Sequence, residues 1–187
     1  MQPWASILSI LSCLLTNPET SPNSWLGPTL HKLLSFRPVQ SNMSCAAIIE
    51  EVSRIGILLF LASIWRTFSM RVVETAALRG RLLVFIKSYF VDWRELRPLL
   101  LWTLMHAASE SENEQERSEF AFRLAVMMNK MNIESWEAML GTVKGVLWSD
   151  SASQDTYDAV RSWVQIFLSP KTSTSGSVAC FPARQKG

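Results

Sequence analysis

Apolar residues recur along this chain at spacings of three and four, and no segment alternates between apolar and polar as a half-buried strand would. No internal repeat is present. The pattern predicts an all-α protein, an irregular multi-helix bundle without significant sheet. Trp4 to Leu15 reads as a short helix, and the turn-forming run from Asn17 to Ser24 as a break after it. A second short helix is expected over Trp25 to Phe36, with Pro28 in its first turn, where a missing N–H is tolerated. Arg37 to Asn42 makes another break. The first long helix is predicted from Ser44 to Met70. Ile48, Val52, Ile55, Leu59 and Ala62 share one face of it, and Ile57, Phe60, Leu61 and Ile64 fill the others. A helix apolar all round is a buried one. Gly56 inside it costs about 1 kcal/mol against Ala, which close approach of another helix would explain.

Further on, Leu82, Phe85, Ile86 and Tyr89 place a helix within Val72 to Phe90, with Gly80 as a possible divider. Asp92 to Arg97 is a polar link, and Pro98 suits the first position of a helix over Leu99 to Ala108. Ser109 to Glu112 has the spacing of a capping box, and Glu110, Glu112, Glu114 and Glu116 suit the positive end of a helix, as a solvated start. Phe120, Leu124, Met127, Met128 and Met131 form the inner stripe that follows, with Glu119 and Arg123 paired across one turn. Asn132 is the expected cap of the next helix. Its stripe is Ile133, Trp136, Met139, Leu140, Val143, Val146 and Leu147. A last helix is expected over Gln154 to Leu168. The organisation is therefore an apolar segment and linker over 1–22, a helical domain over 23–168, and a disordered tail over 169–187 rich in Ser, Thr, Pro, Gly and Lys.

Composition narrows the class. Of 187 residues, 48% are hydrophobic and 18% charged, enough apolar material for a substantial core. The net charge of +2 is too small to argue for nucleic-acid binding. Charge is unevenly placed, however. Between Arg54 and Arg97 eight basic residues stand against three acidic; between Ser109 and Asp158 four stand against ten. The simplest expectation is that the two regions face each other or are solvated; a basic face for a partner is the sharper alternative. Cys13, Cys45 and Cys180 are odd in number and far apart, without metal-ligand spacing or a disulfide framework, which fits a reduced compartment. Trp4 to Leu15 lacks the preceding basic region of a signal peptide. Ile55 to Trp65 is too short for a bilayer span of about 20 residues. Asn42 to Ser44 fits a glycosylation sequon, relevant only to an exported chain.

Chemistry is hard to find. No phosphate loop, nucleophile elbow or zinc-protease motif occurs. His31 and His106 are isolated, and His106 reads as a partly buried structural residue. The carboxylates of Glu110 to Glu119 read as an exposed helix start, not as acid–base groups in a pocket. The sequence therefore assigns no catalytic, cofactor-binding or metal-ligating residue, and the chain is read as a non-enzyme. Arg79-Gly80-Arg81 and the pair Arg94 and Arg97 are the basic clusters, on segments apolar enough to be core, so no direct DNA binding is expected.

The order of motifs carries more. Trp25 to Leu34 followed by Arg37-Pro38, then Ser53 to Ala62, then Trp93-Arg94-Glu95-Leu96-Arg97-Pro98-Leu99-Leu100-Leu101-Trp102, then Glu116-Arg117 with Phe120, and finally Trp136 and Lys144 to Trp148 form an ordered series. It resembles the helical regulatory domain of fungal-specific transcription factors, the domain that follows a zinc binuclear cluster. The resemblance runs from Trp25 to about Phe167. It implies an all-helical domain, nuclear localisation, and control of transcription, often of metabolic or secondary-metabolite gene clusters. The family's DNA-binding module uses six closely spaced cysteines, which this chain does not supply, so no zinc or DNA-contact residue carries over. The expectation is a truncated product or one acting by protein–protein interaction. Its partner would be a full-length zinc-cluster regulator or a second copy as homodimer, with no membrane involved. Two other readings stay open: a membrane-peripheral or secreted helical protein, and a helical small-molecule-sensing domain.

Overall fold

A computed structural model describes residues 8–13, 22–35, 44–68, 73–88, 92–149 and 154–169, and among them every regular element is helical. The all-α expectation is met. Residues 8–13 form α1, Pro22–Ser35 α2, Cys45–Phe68 α3 and Ala76–Ser88 α4. A 3-10 turn, Arg94–Leu96, leads into α5, Arg97–Glu110; then come α6, Glu114–Lys130, α7, Trp136–Lys144, and α8, Gln154–Leu168.

Two helices without an exposed face organise the rest. In α3, every residue from Ile55 to Ala62 is buried, and in α5 every residue from Leu99 to Ala108 is. Each large aliphatic side chain removed from water contributes about 1.5–3 kcal/mol, so these two segments can only be central. They pack on each other. α6 lies along α5, α8 along α6, and α7 and α8 also reach α5, while α2 and α4 lie on α3. Gly56 sits where α3 meets α5. A Cβ there would fall 3.0 Å from the Trp102 ring and well inside the contact radius of Thr103 Oγ1. The glycine is thus a packing residue. Trp102 is fully buried, and its Nε1–H donates to the Leu147 carbonyl at 2.7 Å, tying α5 to the chain after α7.

Several boundaries differ from expectation, each for a local reason. α2 begins at Pro22, so Pro28 lies inside the helix and not in its first turn. Trp25, Leu26 and Leu33 are buried there while Pro28 is exposed, and core contact offsets the proline. Gly80 does not divide α4, which runs through it with open space around the glycine. The box at Ser109 to Glu112 does not form. α5 continues to Glu110, the hydroxyls of Ser109 and Ser111 donate back to the carbonyls of Met105 and Ala107, and Asn113 caps α6 by accepting from Gln115 N–H at 2.8 Å. Nor does Asn132 cap α7; Ser135 does, accepting from Ala138 N–H at 3.1 Å. Asn132 instead ends α6 at φ 53°, where Ile133 N–H donates to Met128 O at 2.9 Å and Asn132 N–H to Asn129 O at 3.2 Å. This is the paired bonding of a Schellman ending, for which Asn is the second choice after Gly.

The Glu119–Arg123 pair forms at 3.3 Å, and α8 has the expected bounds. The tail from 170 onward, Cys180 and the sequon residue Asn42 lie outside the described residues.

Candidate functional site

Charge enters this apolar interior at two places that the sequence does not announce. Glu51 of α3 is wholly buried and held by Arg54, whose Nε and Nη2 donate to its two oxygens at 2.8 and 2.7 Å. Arg81 of α4 adds a third pairing at 3.2 Å. The carboxylate thus joins α3 to α4. The second place corrects the picture of a solvated acidic helix start. Glu110 is 6% exposed and pairs with Arg66 of α3, while Thr75 Oγ1 donates to it at 3.4 Å. Buried Arg79 reaches Glu116 at 2.9 Å and also bonds Thr75. Desolvation by burial lowers the pKa of Arg66; Glu112 opposes this and Arg79 adds to it. Nothing about a run of glutamates marks the one that closes α5. Only the position of the helix end decides it.

His106 is fully buried. Phe60 and Trp102 approach it edge-on, with ring centroids at 5.1 and 4.8 Å. Its Nε2 has no hydrogen-bond partner among the described residues, and burial pushes its pKa down to about 3. The ring is a neutral, structural side chain, more deeply enclosed than expected. His31 is exposed on α2.

Two surface features remain. A groove of about 250 Å³ opens between α3, α4, α5 and α6, apolar except where Arg123 and Lys130 of α6 line it. Lys87 and Arg123 hold the Glu119 carboxyl below its usual range, against the opposing effect of its burial. Phe122 of α6 and Phe167 of α8 meet edge-on at 5.4 Å, both exposed, and Trp163 stacks on Phe167. Ile166 and Val126 are exposed on the same two helices.

Among the described residues no three His, Cys, Asp or Glu side chains converge as a metal site, and no helix is long and apolar enough to cross a membrane. Cys13 and Cys45 are both exposed. The buried carboxylates of Glu51 and Glu110 are each paired with guanidinium groups. Sequence reasoning missed Glu51, Glu110 and the groove cations. The adjacent Glu50 and Glu51 amid apolar residues, with arginine three residues after Glu51, were the available signal. No family model matches the chain, and no curated protein or solved structure does so either.

Proposed function

We propose that this chain is a nuclear transcription-regulatory protein that acts through contact with another protein, and that it modulates a metabolic or secondary-metabolite gene cluster. The observation that carries the reading is the ordered series from Trp25 to Trp148. Its members Trp25, Leu26, Ile55 to Leu61, Leu99 to Trp102, Phe120, Trp136 and Leu147 all lie in the core. These members are packing positions, the part of a sequence that specifies a scaffold, whereas Arg94, Glu95 and Lys144 of the same series are exposed. These 187 residues hold three cysteines, fewer than a six-cysteine cluster needs. Contact with a full-length zinc-cluster regulator, or with a second copy of itself, would supply the route to DNA.

The test is made in the cell and with purified protein. A tagged chain should enrich in the nucleus, co-purify with a zinc-cluster regulator, and alter the transcripts of a gene cluster when deleted. Purified alone, it should show no specific affinity for DNA. A chain that stays out of the nucleus and leaves transcripts unchanged on deletion would count decisively against the reading.

A further inference from the structure

We propose that a second copy of this chain docks on the exposed face shared by α6 and α8, with the two α6 helices lying antiparallel. Phe122 of α6 is 49% exposed and Ile166 of α8 61%. Phe167 meets the Phe122 ring edge-on at 5.4 Å, Trp163 stacks on Phe167, and exposed Val126 stands one turn from Phe122. The two helices thus share one apolar patch. An aromatic side chain buries about 150–250 Å² when fully covered, so at these exposures the patch leaves on the order of 300 Å² open on each copy. A stable interface takes about 800 Å² from each side. The patch is therefore the dry centre of an interface, and Gln115, Asn129 and Gln165, exposed and uncharged, belong to its polar rim. An apolar centre of this size suits weak, reversible association.

Charge decides what the occupant is. Glu112 and Glu114 are exposed at the start of α6 and Lys130 at its end. Glu116 and Glu119 are engaged by Arg79, Lys87 and Arg123, whereas Glu114 and Lys130 form no ion pair among the described residues. Arg97 Nη1 donates to the Lys130 carbonyl at 3.3 Å and adds positive charge at that end. Glu114 and Lys130 each stand eight residues from Phe122, about 12 Å along the helix axis. The face is thus acidic at one end, apolar in the middle and basic at the other. A uniformly acidic or uniformly basic partner is repelled at one of those ends. The surface that matches both is this one turned end for end. A two-fold axis at Phe122 sets the ring against its mate and brings Glu114 level with the partner's Lys130, and symmetry makes that contact twice. The antiparallel helix dipoles add to the attraction.

Sedimentation equilibrium of the purified full chain at low salt tests this. We expect a monomer–dimer equilibrium with Kd on the order of 10–100 µM, the weak end of the range for specific interfaces. Glu114→Lys and Lys130→Glu should each weaken it by about five- to tenfold, because either reversal sets like charges together at both ends. Mixed in equal amounts, the two variants should form a heterodimer about as tight as wild type, since one copy is then basic at both ends and the other acidic. Both reversals oppose the α6 dipole, but equally in the mixture and in the separate samples, so the mixture reads the contact alone. Phe122→Gln, at the centre, should abolish the dimer. Circular-dichroism melts establish that each variant is folded; were Phe122→Gln unfolded, the mixture decides the matter. A chain that stays monomeric up to about ten times the expected Kd, a folded Phe122→Gln that dimerises like wild type, or a mixture no tighter than either variant alone overturns the proposal. Such a failure leaves the transcriptional reading standing, with a different regulator as the partner.

Discussion

A neutral imidazole between Phe60 and Trp102 makes the fold sensitive to acid. Burial pushes folded His106 down to about 3 from the ordinary 6.5 of an unfolded chain. Between those limits the unfolded chain binds the extra proton, so stability falls as pH falls, by about 1.4 kcal/mol per pH unit. Urea unfolding at pH 7 and pH 5 should show wild type losing about 2 kcal/mol more than His106→Leu over that interval. Equal losses would mean the ring titrates normally. The glycines give a second residue-scale contrast. Gly56→Ala gains helix propensity but drives a methyl into Thr103 and Trp102, and overpacking costs about 1–3 kcal/mol. Gly80→Ala meets open space and should stabilise by about 0.5–1 kcal/mol. Thermal melts of the two should shift in opposite directions, and Thr103→Ala should partly rescue the first. The need for a small residue at position 56 was legible in an apolar helix; the identity of its neighbour was not, because α3 and α5 are far apart in sequence.

At the scale of the element, helix ends were the least legible feature. Ser, Asn and Glu are all competent caps, and the chain offers several within a few residues at Ser109 to Asn113 and again at Asn132 to Ser135. Burial arbitrates. α5 continues to Glu110 because Ala107 and Ala108 are still inside the core and Glu110 finds Arg66. The cap then moves on to Asn113. Asn113→Ala and Ser135→Ala should each cost about 1 kcal/mol, while Ser109→Ala, whose hydroxyl bonds within α5, should cost less. A loss at Ser109 as large as at Asn113, read from denaturant midpoints, would return the cap to Ser109. Helix existence was clear from periodicity throughout, since a stripe such as Tyr157, Val160 and Val164 survives small errors at either end.

Across the whole molecule, the uneven charge of the chain resolves into facing surfaces. Arg66, Arg79 and Lys87 come from the basic stretch, and Glu110, Glu116 and Glu119 from the acidic one; they pair in that order, fastening α3 to α5 and α4 to α6. Depth separates the valuable pairs from the trivial. Arg79 is 6% exposed at its side chain, whereas Arg161 and its partner Glu137 are 41% and 68% exposed. Arg79→Met strands Glu116 at the core edge and should cost about 2–4 kcal/mol; Arg161→Met should cost under about 0.5 kcal/mol. Chemical denaturation compares the two directly, and similar losses would show that the α4–α6 tether carries little weight.

By itself the chain's periodicity settled that the protein is helical and that α3 lies innermost, because side chains apolar on every face have no stable place but the interior; that α5 is enclosed as fully emerged from the packing. The match of opposite charges was also readable in outline from composition. The partner of each charge, the helix ends, the enclosure of His106 and the groove lined by Arg123 required three dimensions. Those properties arise where helices distant in sequence come within a few ångströms, and a linear pattern records the face a residue occupies but not the neighbour it meets.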